Sequence, residues 1–120
     1  MTELLLVEDE AMLRLIAAEM LQEAGFVVHE AANGVEALEQ LEAHPETALL
    51  VTDVQMPRMG GYELVDTVLP LRPDLKILLM TGYTQNAPGE HLVKRGVQIL
   101  YKPFNLELLC STAKRMTAAS

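Results

Sequence analysis

Leu49-Leu50-Val51-Thr52-Asp53, running into Val54-Gln55-Met56-Pro57-Arg58-Met59-Gly60-Gly61, is the stretch on which the fold turns. Its apolar part is continuous rather than alternating, the pattern of a strand covered by helices on both faces. It ends on a carboxylate, and Pro57 with the two glycines marks a tight loop just beyond. Working outward, the same grammar recurs. Strands are predicted at Leu4–Glu8, Val27–Ala31, Ala48–Asp53, Lys76–Thr81 and Gln98–Tyr101, each followed by a segment of helical period. Five βα repeats imply an α/β fold with a parallel sheet.

The helices carry their own punctuation. The first spans about Glu10 to Ala24, with Leu13, Ile16, Ala17, Met20, Leu21 and Ala24 marking one face and Gly25 placed to end it. The second follows Asn33 as N-cap, turns Val35, Leu38 and Leu41 inward, and stops at Pro45. The third covers about Gly61 to Leu71. The fourth is short, about Pro88 to Arg95, because Thr84–Gly89 is turn-rich and Pro88 is tolerated only in a first turn. The fifth opens after Asn105 and runs to about Thr117, with Leu109, Ala113 and Met116 inward.

A chain of 120 residues reads as a single domain, 1–120, with ordinary globular composition and no stretch left for a second. No apolar run reaches the roughly 18 residues that span a bilayer, and no basic segment precedes the first one as in a secretory signal. Cys110, the lone cysteine, permits no intrachain disulfide and fits a reducing cytoplasm; it reads as a small core or semi-buried residue rather than a reactive thiol. A net charge of −8 argues against non-specific nucleic-acid binding and suits basic partners or a bound cation.

The chemistry gathers at strand ends. Glu8 and Asp9 close the first strand, Asp53 the third, Thr81 the fourth and Lys102 the fifth. Ligands of open α/β sheets bind outside the carboxyl ends of the strands. With the first and third strands adjacent, three carboxylates meet, and two unit charges about 4 Å apart repel by roughly 4 kcal/mol at an effective dielectric of 20. A divalent cation removes that repulsion, and an all-oxygen set suits Mg²⁺ better than zinc. His29, His44 and His91 lack zinc-ligand spacing and read as surface or loop residues. Taken singly, an acidic first turn, a loop aspartate and a solvated lysine are ordinary; together they describe one site.

At this point the chain resembles the receiver domain of two-component response regulators over essentially its full length. The matching pieces are Leu6-Val7-Glu8-Asp9-Glu10, Val51-Thr52-Asp53-Val54-Gln55-Met56-Pro57 with Gly61, Thr81-Gly82, and Lys102-Pro103-Phe104. Each is moderately specific alone, and their order and spacing are highly specific. The resemblance implies a flavodoxin-like, doubly wound sheet of order 2-1-3-4-5. It implies Asp53 as phosphoacceptor. It gives Mg²⁺ to Glu8, Asp9, Asp53 and the backbone carbonyl of Gln55, phosphoryl contacts to Lys102 and Thr81, and a cis bond between Lys102 and Pro103. It implies a histidine kinase or histidine phosphotransfer domain as donor, an unnamed downstream protein as partner, a cytoplasmic location, and a signalling module rather than an enzyme.

The chain departs from the family at Ile99, where an aromatic switch residue often stands. Tyr101 shares that strand face and reads as packing, with a substitute switch as the alternative. Thr81-Gly82-Tyr83 resembles receivers attached to hybrid kinases and some stand-alone ones. Tyr83 is expected to shield the phosphoryl group from water, and residues 84–96 to reorder on phosphorylation. Arg58 and Met59 read as a solvated loop, and the other methionines mostly as packing. The competing reading is a pseudo-receiver that binds partners without phosphorylation, and the intact acidic set speaks against it. A haloacid-dehalogenase-type phosphatase wants a second aspartate where Gln55 stands, and no phosphate-binding glycine loop is present.

Overall fold

The computed structural model describes residues 1–54, 58–81, 97–102 and 105–118. Along the chain come β1 (Glu3–Val7), α1 (Ala11–Glu23), β2 (Val27–Ala31), α2 (Gly34–Ala43), β3 (Thr47–Asp53), α3 (Gly61–Val68), β4 (Lys76–Thr81), β5 (Gln98–Tyr101) and α4 (Leu106–Thr117). The strands form one parallel sheet of order β2-β1-β3-β4-β5. This is the doubly wound arrangement expected. The helix expected over Pro88 to Arg95 lies outside the described residues.

Strand periodicity divides the core in two. Leu4 and Leu6 of β1 face one way, joining Leu49 and Val51 of β3, Leu78 of β4, Ala18 and Leu21 of α1, and Leu109 and Ala113 of α4. Leu5 and Val7 face the other way, joining Leu50, Ile77 and Leu79 with Ala37 of α2 and Leu64 and Val65 of α3. The three central strands are therefore apolar at nearly every position, which is why they read as unbroken runs.

The helix ends follow the local chemistry. Asn33 accepts from the Glu36 amide at 2.9 Å, while Glu36 reaches back to accept from the Ala32 amide at 3.0 Å. Asn105 caps α4 by accepting from Leu108 N at 2.7 Å. Gly25, at φ 105°, ends α1 in the left-handed region. There Gly25 N donates to Gln22 O and Phe26 N to Leu21 O, the paired bonds of a Schellman turn.

Three readings of packing need correction. α3 ends at Val68 rather than near Leu71, because Pro70 has no amide to continue the ladder. On α1, Ala17, Ala18 and Leu21 are buried, but Leu13 and Ile16 are 48% and 44% exposed. They line an open groove of about 440 Å³ against Leu106 and Leu109 of α4 rather than the core. Tyr101 is exposed, on the edge strand β5, and so is not core packing. Met12 is exposed too, whereas Met80 and Met116 are buried as expected.

Candidate functional site

The carboxyl ends of β1, β3, β4 and β5 form one rim, and the sheet register fixes who meets there. Val7 pairs with Thr52, so the residues that follow each, Glu8 and Asp53, emerge side by side. Asp53 pairs with Met80 and Thr81 with Tyr101, which brings Lys102 next to the same point. Carboxylate oxygens of Glu8, Asp9 and Asp53 lie within 4.8 Å of one another. Lys102 Nζ donates to Asp53 Oδ2 at 2.6 Å. Glu8, Asp53 and Thr81 are buried, whereas Asp9 is exposed and gives the cluster its opening to solvent.

The backbone around the rim is held by specific bonds. Glu8 N donates to Ala31 O and Val54 N to Met80 O, each at 3.0 Å, and Lys102 N donates to Thr81 O at 2.7 Å. The Glu8 carboxylate accepts from Glu10 N at 3.0 Å, which turns the chain into α1 without a side-chain cap at Glu10 itself. Behind Asp53, Gly61 N donates to Val54 O at 2.9 Å. A Cβ on Gly61 would sit 2.5 Å from the Asp53 carbonyl oxygen, so the close return of α3 under the loop requires glycine.

The electrostatics record crowding of like charge. Burial, with Asp9 and Asp53 nearby, pushes the Glu8 carboxyl up to about 7, against the opposing pull of the Glu10 amide and Lys102. Burial lowers the Lys102 ammonium, but its hydrogen bond to Asp53 and the charges of Asp53, Glu8 and Asp9 outweigh this and leave it raised. Three hard oxygen donors with net negative charge, opening to water, fit Mg²⁺ with retained waters. A softer ion preferring nitrogen or sulfur is a poorer match.

Of the residues singled out from sequence, Glu8, Asp9, Asp53 and Lys102 are brought into contact, and Thr81 takes its place on the same rim. Gln55, Tyr83 and Pro103 lie outside the described residues, and with them the carbonyl ligand, the expected shield, the reordering segment and the cis bond. Two supporting residues escaped the sequence reading. Arg14 donates to the Glu8 carbonyl at 2.8 Å and pairs with Glu30 at 3.3 Å, strapping α1 and β2 to the turn that carries Glu8 and Asp9. An arginine on a helix's polar side carries no sequence signal for that. Met59, read as part of a solvated loop, is instead half-buried, and a Cβ on Gly34 would come within 2.6 Å of its side chain. It seats the loop after Asp53 on the start of α2.

Residues 4–114 match the family model of the response regulator receiver domain. The chain is 42% identical, over 93% of its length, to the sensor kinase CckA of Brucella abortus (strain 2308), of which it spans 12%. It is 36% identical to the response regulator receiver protein CpdR of the same organism, and there the match covers the whole of both chains. The Vibrio cholerae chemotaxis protein CheY4 superposes with a TM-score of 0.85 at 33% identity, over 96% of this chain and 98% of that one.

Proposed function

The chain belongs to the response regulator receiver domain family of two-component signalling, and from that premise we propose that it is a phosphoacceptor. In this reading it takes a phosphoryl group onto Asp53 from a histidine kinase or a histidine phosphotransfer domain, and the modification changes its affinity for a downstream protein. One Asp53 carboxylate oxygen attacks the phosphorus of a phosphohistidine. The oxygen–phosphorus bond forms as the phosphorus–nitrogen bond breaks, and the departing imidazole keeps the electron pair. Lys102 orients Asp53 beforehand and follows the charge onto a phosphoryl oxygen, and Thr81 donates its hydroxyl to another. Glu8, Asp9 and Asp53, with the Gln55 carbonyl, are the residues that would hold Mg²⁺. When bound, the ion neutralises charge on the transferring group.

The observation that carries this reading is the 2.6 Å contact between Lys102 and Asp53, made where the Glu8 and Asp9 carboxylates converge. A pseudo-receiver has no use for that arrangement, which stores repulsion and returns no packing. The kinase partner is supported by the match to a sensor kinase and the output role by the full-length match to a response regulator receiver protein.

The test is direct. Incubation with acetyl phosphate and Mg²⁺ should add one phosphoryl group by intact-mass spectrometry, labile at alkaline pH. Asp53→Asn should take none. A wild-type chain that stays unlabelled, or an Asp53→Asn chain that labels equally, would overturn the assignment.

A further inference from the structure

At the sheet rim opposite Asp53, three side chains from separate elements converge. Glu3 opens β1, His29 lies on β2, and His44 follows the last turn of α2. The histidines are expected on the surface or in loops; His44 lies in the α2–β3 connection, whereas His29 lies within β2, and both are half-buried. The register places Leu5 opposite His29, so Glu3 and His29 share the sheet face that α2 covers. His29 Nε2 lies 2.9 Å from Glu3 Oε1. The imidazoles of His29 and His44 stack with centroids 3.6 Å apart and planes within 10°. One ligand atom from each of the three lies within 4.8 Å of the others. Glu3 and Val7 are four residues apart on β1, so this cluster sits roughly 13 Å along the strand from the phosphoacceptor rim.

We propose that Glu3, His29 and His44 form a second metal site, for a divalent d-block ion, with zinc the best match. Two imidazoles and a carboxylate are the donor set of zinc centres that keep an open position. Mg²⁺ would not choose two nitrogen donors, so the two rims select different ions. The donors come from β1, β2 and the end of α2, so a bound ion ties the end of α2 to the hydrogen-bonded β1–β2 pair.

The metal-free arrangement brings the donors together but is not the loaded one. Donors around a tetrahedral zinc lie roughly 3.3 Å apart for bonds of about 2.0–2.1 Å. Parallel rings aim their lone pairs alongside each other, so one ring must tilt about its final torsion, which is broad for histidine. His44 can do so while its backbone stays fixed: its N–H donates to Gln40 O, and its carbonyl accepts from both the amide and the hydroxyl of Thr47. Glu3 turns from accepting a hydrogen bond to ligating. Any proton on the coordinating nitrogens passes to solvent.

The experiment uses tag-free, chelator-treated protein in excess Mg²⁺, titrated with Zn²⁺ by calorimetry and with Co²⁺ by absorption. One histidine-dependent equivalent is expected. His29→Ala and His44→Ala should each weaken it by at least about tenfold, and Glu3→Gln should weaken it less. Should the alanine variants fold poorly, wild-type imidazole resonances decide: those of His29 and His44 should shift with Zn²⁺ ahead of His91. Zinc binding that survives both histidine variants, an undisturbed His29 and His44 pair, or no binding up to roughly 0.1 mM Zn²⁺ would overturn the proposal. Phosphorylation at Asp53 stands or falls separately.

Discussion

Replacing Glu8 by glutamine in metal-free protein should stabilise the fold, and the gain should depend on pH in a set direction. The Glu8 carboxyl is raised from 4.5 to about 7, with burial as the first cause. The folded state therefore holds the proton more tightly than the unfolded chain. Stability from this group is greatest below about pH 4.5, falls as pH rises toward 7, and is level above that. One pKa unit corresponds to about 1.36 kcal/mol, so the full shift gives a ceiling of roughly 3.4 kcal/mol. The site opens to water through Asp9, and the effective figure is nearer 1–2 kcal/mol. Glutamine keeps the oxygen that accepts from Glu10 N, so the turn into α1 survives. Urea unfolding with a chelator present should show Glu8→Gln more stable than wild type by about 1–2 kcal/mol at pH 8 and nearly equal at pH 4.5. Millimolar Mg²⁺ should reverse the order at pH 8, because only the wild type gains from binding the ion. A Glu8→Gln variant less stable at pH 8 without metal, or a difference unchanged between the two pH values, would refute the idea that uncompensated charge is held at this rim.

Lys102→Met should slow labelling by acetyl phosphate by about 10²–10³, from loss of one charge-stabilising donor, while raising Mg²⁺ affinity because the competing ammonium is gone; labelling time courses and Mg²⁺ titrations check both. Gly61→Ala should destabilise by about 1–3 kcal/mol, since its Cβ meets backbone rather than a movable side chain; Gly60→Ala, which meets only Val54 O at 3.0 Å, should lose less in the same urea melts. Asn33→Ala should lose about 1 kcal/mol through the exposed Glu36 amide, with thermal unfolding as the readout.

The capping residues, the continuous strand runs and the charged strand ends are local facts, and local facts survive in a one-dimensional string. Asn33 and Asn105 cap as their side-chain chemistry dictates, and Gly25 takes the positive φ that its position suggested. Glu8, Asp9, Asp53 and Lys102 were legible because each closes or follows a strand, and a parallel sheet gathers strand ends at one rim. Where the reading slipped, the competing term was tertiary. Leu13 and Ile16 obey the helical period, yet they line an open groove against Leu106 and Leu109 of α4. Pro70 ended α3 earlier than the apolar spacing suggested.

The amino-acid sequence alone thus determined which segments become strands, that the central ones are apolar on both faces and which end carries charge, since these depend on neighbours a few residues away. Tertiary structure decided the rest. It set Lys102 on Asp53, Arg14 on the Glu8 carbonyl, Met59 against Gly34 and His29 against His44. Those contacts join residues from 6 to 49 positions apart in three of the cases measured as hydrogen bonds or stacks. Their distances are fixed by sheet register and helix seating, which no local pattern contains.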